Sequence, residues 1–254
     1  MSMHNPDLGS LIVTGASRGI GAATARLAAQ RGYSVAVNFH EGQKQARQVV
    51  EDILAAGGRA IEIQADVSHE PEVVHMFEAA ERELGRIKGL VNNAGVTGGF
   101  ARVEDVSAEA VERVFAVNVT GAILCAREAV RRMSTQRGGS GGAIVNISSR
   151  AAQTGSPGEW VHYAASKGAI DSFTIGLARE VATEGIRVNA VAPGLVETEI
   201  HARNGDPARL QRLMGTIPMN RAGQPEEIAE SIVWLLSPAA SYVTGAVLHV
   251  TGGR

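Results

Sequence analysis

Seven short runs rich in apolar and β-branched residues alternate along the chain with longer stretches whose apolar residues recur at helical spacing. The runs are residues 11–14, 34–39, 60–64, 89–91, 143–147, 187–191 and 246–250. Such alternation requires crossover connections, which make successive strands parallel. The runs are apolar nearly throughout, as expected for strands that helices cover on both faces. The pattern therefore predicts an α/β fold with a doubly wound parallel sheet.

The same pattern predicts how the chain is organised. No shift in composition and no linker divides it, so residues 1–254 are interpreted as one domain. Helices are expected over 22–30, from about residue 70, and over about 162–180. Residues 197–217 are irregular and polar, and they are expected to form an excursion from the regular fold.

Composition and charge exclude several classes of partner. The 254 residues are 44% hydrophobic with a formal charge of −2, which indicates a folded chain without a basic footprint for nucleic acid or an anionic membrane. The first ten residues lack the features of a signal peptide, so a reducing cytoplasm is expected. Cys125 lies in an apolar stretch without a second cysteine and is interpreted as a buried thiol rather than a nucleophile. The histidines are dispersed, and no metal site is expected.

A glycine-rich turn follows the first predicted strand, with glycines at Gly15, Gly19 and Gly21 before a helix of good helix formers. Glycines allow the backbone to turn sharply and approach a ligand, while a helix N-terminus offers amide donors to a pyrophosphate. The turn lacks the Lys-Ser/Thr pair of a P-loop, which disfavours nucleoside triphosphate hydrolysis. A dinucleotide site is therefore predicted, although such a turn can also be merely structural.

Further polar motifs lie at or near the ends of later strands. They are Asn92-Asn93-Ala94-Gly95, Asn118, Ser148-Ser149, Tyr163-Ala164-Ala165-Ser166-Lys167 and Pro193-Gly194. Together with the glycine turn, and in this order, they closely resemble the motifs of the short-chain dehydrogenases/reductases. The resemblance extends from residue 11 to residue 253. It implies a Rossmann-type NAD(P)-binding fold and an oxidoreductase that acts on carbonyl or alcohol groups.

Four residues are the predicted catalytic group. Tyr163 and Lys167 are four residues apart on one helical face, so the ammonium group could favour the phenolate of a tyrosine whose pKa is ordinarily near 10. Ser149 ends a strand at the ligand edge and could bind the substrate oxygen, while Ser148 is expected to face away. The resemblance adds Asn118, whose backbone carbonyl would hold a water in a proton relay. Hydride exchange with a carbonyl or secondary alcohol is the implied chemistry.

The resemblance also implies a set of cofactor-binding residues along the carboxyl edge of the sheet. They are Gly15, Ser17, Arg18, Gly19, Ile20, Gly21, Phe39, His40, Asp66, Val67, Asn93, Ala94, Gly95, Tyr163, Lys167, Pro193, Gly194, Val196 and Thr198. No carboxylate occupies the expected end of the second strand, and Arg18 is placed to pair with a 2′-phosphate. NADP(H) is therefore preferred over NAD(H), which stays possible.

Substrate choice is expected to depend on residues 97–101, 150–162 and 197–215. Their mixed polarity leaves open a 3-oxoacyl-carrier reductase and a sugar or small-alcohol dehydrogenase. The cluster Arg131, Arg132 and Arg137 could dock an acidic carrier protein, although it could equally be a solvated helix end. A non-catalytic NADP(H)-sensing regulator on the same fold is the alternative function. The resemblance further implies a homotetramer.

Overall fold

Seven strands pair in one parallel sheet in the computed structural model, which describes residues 8–199 and 208–254. The strands are β1 (Ser10–Val13), β2 (Ser34–Phe39), β3 (Arg59–Gln64), β4 (Ile87–Asn92), β5 (Gly142–Ile147), β6 (Ile186–Pro193) and β7 (Val247–Val250). Their order is β3-β2-β1-β4-β5-β6-β7, and every neighbouring pair is parallel. The predicted doubly wound α/β fold is confirmed, with each strand displaced from its predicted run by two residues or fewer at its ends.

Helices occupy the connections between the strands. They are α1 (Gly19–Gln30), α2 (Gln43–Ala55), α3 (Glu70–Leu84), α4 (Ala108–Phe115), α5 (Ala122–Met133), α6 (Ala151–Thr154), α7 (Val161–Val181), α8 (Arg209–Leu213) and α9 (Pro225–Leu236). One turn of π-helix, Ala116–Gly121, joins α4 to α5. The predicted excursion contains α8, while its residues 200–207, like residues 1–7 at the start of the chain, lie outside the described part. Among the described residues, no helix is long and apolar enough to cross a membrane.

The strands are buried on both faces because side chains alternate along each strand and helices cover both sides. Leu11 and Val13 pack with α1, α2 and α9, whereas Ile12 between them packs with α3, α5 and α7. This explains why the strand runs are apolar at nearly every position. Cys125 is fully buried in the second layer, and burial, reinforced by the charge of Glu128, raises the pKa of its thiol. The interpretation of Cys125 as a packing residue is thus supported.

The strand order reverses between β1 and β4, because the chain proceeds from β1 to one edge of the sheet and then returns to β4. In sheets of this type, ligands bind outside the carboxyl ends of the strands at such a reversal. The segments that leave β1 and β4 begin at Thr14 and Asn93, within two of the predicted motifs. The fold therefore brings these motifs together.

Candidate active site

The loops after β1 and β4 are bound tightly to each other. Thr14 Oγ1 accepts hydrogen bonds from the backbone N–H groups of Asn93 and Ala94, both at 3.0 Å. Asn93 Nδ2 donates in return to the carbonyl oxygens of Thr14 at 2.8 Å and Gly15 at 3.0 Å. These bonds hold the glycine turn rigidly at the start of α1.

Two of the turn glycines have conformations or neighbours that a larger residue would not tolerate. Gly19 has a φ of +52°, in the left-handed region that glycine adopts without strain. A Cβ at Gly21 would lie 2.5 Å from Asn93 Nδ2, so Gly21 allows the close contact between the turn and the β4 loop. Gly21 therefore permits the packing of the turn against the β4 loop and does not itself line the cavity above the turn.

A cavity of about 570 Å³ lies above the turn and along the ends of β1 to β4. Thirteen of the predicted cofactor-binding residues line it: Gly15, Ser17, Arg18, Gly19, Ile20, Phe39, His40, Asp66, Val67, Asn93, Ala94, Gly95 and Thr198. Phe39 contributes to this wall, but its side chain is 2% exposed and belongs to the core. A volume above 500 Å³ with walls of mixed polarity is typical of a small-molecule or cofactor site.

Arg18 projects from the turn toward the end of β2. A Cβ at Gly42, just after β2, would lie 2.5 Å from Arg18 Nη2, so the guanidinium group passes directly over that backbone. Arg18 Nη1 is buried without a hydrogen-bond partner and lies 3.6 Å from a carboxylate oxygen of Glu199. Arg18 therefore occupies the end of the cavity where the sequence predicts a 2′-phosphate.

Asp66 lines the same end of the cavity in a fixed orientation. Burial raises the pKa of its carboxyl group, but hydrogen bonds from Ser68 and Arg113 outweigh burial and lower the pKa to about 2. Arg113 Nη1 lies 3.1 Å from Asp66 Oδ2 and itself lines the cavity. Sequence reasoning missed Arg113, because the contact joins residues 47 positions apart and no local motif marks it.

Asn118 lies in the π-helical turn and is 2% exposed. Its side chain accepts from the backbone N–H of Val96 at 2.8 Å and donates to the carbonyl of Val96 at 2.9 Å. It also donates to Ser166 Oγ at 3.0 Å. Because the side chain is fully used in joining the β4 loop to α7, only the Asn118 backbone could serve a proton relay.

Tyr163 and Lys167 lie on one face of α7 as predicted, with Lys167 Nζ 5.6 Å from the centre of the Tyr163 ring. Lys167 is buried, and Nζ donates to the carbonyl oxygen of Ile147 at 2.6 Å. Burial lowers the pKa of Lys167 to about 8, while the negative charge of Asp171 acts in the opposite direction.

The pKa of Tyr163 has a net shift opposite to the one that we expected from Lys167. Burial raises the pKa of the phenol, and a hydrogen bond from Ser149 and the positive charge of Arg209 lower it by less. Tyr163 is therefore protonated at neutral pH. Ser149 is placed beside the phenol, whereas Ser148 is buried and donates to the carbonyl oxygen of Lys167. Both serines border the cavity beside Tyr163.

A second cavity of about 340 Å³ lies beside Tyr163 and Ser149 and shares Asn93, Gly95, Ile20 and Thr198 with the first. Its wall also contains Lys167, Pro193, Gly194 and Val196 from the predicted site. Tyr163 and Ser149 thus line the second cavity, which adjoins the first along these shared residues.

Two of the three segments predicted to choose the substrate line this second cavity, and the first, residues 97–101, contacts its wall through Phe100. Phe100 stacks on Trp160 with ring centres 4.7 Å apart, and Trp160 in turn contacts Tyr163 edge to face at 6.0 Å. Arg209 of α8 also lies over the Trp160 ring, with Cζ 4.3 Å from the ring centre. Residues 200–207 of the third segment lie outside the described part. Sequence reasoning missed Leu195 and Arg254 in this wall, since neither belongs to a recognisable motif.

Comparison with known proteins identifies close relatives over almost the whole chain. A family model described as enoyl-(acyl carrier protein) reductase matches residues 15–254. The Escherichia coli protein named uncharacterized oxidoreductase YgfF is 55% identical over 243 residues, covering 96% of this chain and 98% of that protein.

Relatives with more specific names differ in the substrates that those names state. Glucose 1-dehydrogenase 2 of Bacillus subtilis is 40% identical, over 95% of this chain and 93% of that protein. The 3-oxoacyl-[acyl-carrier-protein] reductase of Synechocystis is also 40% identical, over 95% of each chain. Among solved structures, a short-chain dehydrogenase from Burkholderia cenocepacia in complex with NADP is 30% identical, with a TM-score of 0.90 over 98% of this chain and 99% of that chain.

Proposed function

The chain belongs to the short-chain dehydrogenase/reductase family of oxidoreductases, and on that premise we propose that it transfers a hydride between NADP(H) and a carbonyl or secondary alcohol. The observation that carries this proposal is the position of Tyr163 and Ser149 in the wall of the second cavity, which adjoins the predicted cofactor cavity through Ile20, Asn93, Gly95 and Thr198. Lys167 lies behind the phenol on the same helix. This arrangement supports proton transfer at an oxygen next to the carbon that exchanges the hydride.

The first cavity fits a nicotinamide dinucleotide. The turn between Gly15 and Gly21 leaves the N-terminus of α1 open toward the cavity, and the backbone amides there can hold a pyrophosphate. Asp66 and Val67 would contact the adenine, while Asn93 to Gly95 and Lys167 would hold the ribose and nicotinamide end. When bound, the nicotinamide supplies or accepts the hydride.

In the proposed reduction, Tyr163 holds the proton that the developing alkoxide requires. Burial keeps the phenol protonated, so it can donate to the substrate oxygen, and the Ser149 hydroxyl stabilises both the substrate oxygen and the phenolate. The Lys167 ammonium group stabilises the phenolate after the proton has moved. In oxidation, the phenolate would remove the hydroxyl proton instead.

The pH profile should depend on Asp171. The pKa of Lys167 is lowered to about 8 by burial, and Asp171 holds it higher than burial alone would allow. We expect Asp171→Asn to lower the pKa of Lys167 further, so that the alkaline loss of kcat/KM for reduction begins at a lower pH. The amide can still accept the hydrogen bond that Gln153 donates to the carboxylate at 2.9 Å.

The measurement is kcat/KM against pH, with Asp105→Asn as a matched control at an exposed site. A profile of Asp171→Asn that coincides with those of the control and the wild type would show that Lys167 does not set the alkaline limb.

Two observations bear on the substrate. The names of the 40% identical relatives divide between a sugar dehydrogenase and an acyl-carrier reductase, so they do not select one class. Arg131 and Arg132, which the sequence offered as a docking surface for an acidic carrier, both form ion pairs with buried Glu128, at 2.8 Å and 2.6 Å. Because these two arginines are paired within the protein, the argument that they bind an acidic carrier protein is weakened. We therefore favour a small substrate that is not attached to a carrier.

A purified-enzyme assay tests the proposed function. NADPH and NADH oxidation would be followed against acetoacetyl thioesters, diketones, hexoses and small oxo acids, and NADP⁺ reduction against the corresponding alcohols. Turnover of at least one carbonyl compound with NADPH is expected. Tight NADPH binding without turnover of any compound would contradict the proposal and favour the non-catalytic regulator.

A further inference from the structure

The cavity beside Tyr163 carries an excess of positive charge. Its wall contains the basic side chains of Arg150, Arg209 and Arg254 but, among the described residues, only one acidic side chain, that of Glu159. These groups act on one another: burial and the charges of Arg209 and Arg150 lower the pKa of Arg254, while Glu159 raises it. The cluster is therefore a single electrostatic unit.

The carboxylate of Glu159 is already used by other arginines. Its Oε2 atom accepts from Arg209 at 2.7 Å and 3.1 Å, and its Oε1 atom accepts from Arg212 at 3.1 Å. Arg209 is 5% exposed and is held between Glu159 and the face of Trp160. This pair is a rigid structural support for the aromatic wall, and it leaves little of the Glu159 charge for the other two arginines.

Arg150 and Arg254 have no carboxylate partner within ion-pair distance in residues 8–199 and 208–254. Arg150 Nε is in addition buried without a hydrogen-bond partner. A buried donor that stays unpaired is costly, and a cationic donor more so, which makes an unpaired guanidinium at a cavity wall a ready anion site. The planar guanidinium group matches carboxylate and phosphate oxygens in a bidentate manner.

We infer that the substrate carries an anionic group, a carboxylate or a phosphate, which Arg150 and Arg254 bind while Tyr163 and Ser149 hold the reacting oxygen. This inference rests on the proposed oxidoreductase function. A cavity of about 340 Å³ limits the substrate to a small molecule such as a short oxo or hydroxy acid. The anionic group takes no part in the chemistry and serves recognition and orientation.

The test compares substrates that differ only in charge. With NADPH, kcat/KM would be measured for acetoacetate against methyl acetoacetate, and for dihydroxyacetone phosphate against dihydroxyacetone. In the wild type we expect the anionic member of at least one pair to be favoured by 10-fold or more. The carboxylate and phosphate pairs tell the two anions apart.

Arginine variants then locate the recognition. Arg150→Met and Arg254→Met should each lower kcat/KM for the anionic member by roughly 10- to 150-fold, mainly through KM, because each removes a charge-assisted hydrogen bond. The neutral member should change by less than about 3-fold. Arg150→Lys should restore part of the loss, and Arg137→Met, at an exposed turn far from the cavity, should match the wild type.

Two outcomes would overturn the inference while leaving the oxidoreductase function intact. The first is a wild type with a higher kcat/KM for the neutral substrate of each pair. The second is a set of arginine variants in which kcat/KM falls equally for the neutral and the anionic substrates. If no compound turns over, calorimetry of acetoacetate and inorganic phosphate with the protein–NADP⁺ complex decides the matter separately. Binding that Arg150→Met abolishes would support the anion site, and absence of binding in the wild type would overturn it.

Discussion

Tyr163→Phe is expected to lower kcat by at least about 10²-fold, the lower limit of what a positioned general acid contributes. The substitution removes only the hydroxyl group. Phenylalanine keeps the ring that contacts Trp160 at 6.0 Å, so the wall of the cavity should persist. The loss should therefore appear in turnover rather than in folding.

The physical reason is that neither Ser149 nor Lys167, which line the same cavity, can replace the phenol as proton donor. Ser149 accepts a hydrogen bond from the backbone N–H of Ala151 at 3.1 Å, and a serine hydroxyl is a far weaker acid than a phenol. Lys167 borders the second cavity, but its Nζ atom donates to the carbonyl oxygen of Ile147 at 2.6 Å. Without the phenol, the alkoxide would have to obtain its proton from water.

The measurement combines kcat with the NADPH dissociation constant and the melting temperature. Tyr242→Phe is a matched control, because it removes the same hydroxyl from a fully exposed tyrosine. We expect the control to behave as the wild type in all three measurements. Near-normal turnover in Tyr163→Phe, with Tyr242→Phe also normal, would remove Tyr163 from the mechanism.

Local patterns predicted the sheet well because they encode it directly. A buried parallel strand needs a continuous apolar run, and residues 34–39 form β2 with the predicted bounds. The Tyr163 and Lys167 pair was predictable for a similar reason, since a spacing of four on a helix places two side chains on one face. The glycine turn, too, is specified within seven consecutive residues.

Features that depend on contacts between distant segments could not be predicted in this way. The apolar spacing around Asn118 predicts a helix but does not distinguish an α-helix from a π-helical turn. The side chain of Asn118 in that turn contacts Val96 and Ser166, which are distant in sequence. The cluster of Arg150, Glu159, Arg209 and Arg254 joins four parts of the chain that no spacing rule relates. Phe39 was predicted among the cofactor-binding residues at the end of β2; it borders the cavity, but its side chain belongs to the core.

Cofactor choice is for this reason better tested at Arg18 than at Phe39, where a carboxylate would be buried in the core. We expect Arg18→Ala to weaken NADPH binding by about 10- to 150-fold, because a guanidinium–phosphate contact forms charge-assisted hydrogen bonds. Arg18 Nη1 is buried without a hydrogen-bond partner, and a 2′-phosphate at the end of β2 would supply one. NADH, which lacks that phosphate, should bind the variant almost as it binds the wild type.

The decisive quantities are the four dissociation constants of NADPH and NADH for the wild type and Arg18→Ala. Arg26→Ala, within the helix that Arg18 precedes, is a matched control, since Arg26 forms an ion pair with Asp52 at 2.8 Å and does not line the cofactor cavity. Both variants keep the glycine turn, so the pyrophosphate contacts common to the two cofactors should survive. Equal losses for NADPH and NADH in Arg18→Ala, or a wild type that prefers NADH, would contradict the NADP(H) assignment without affecting the family or the proton-donor role of Tyr163.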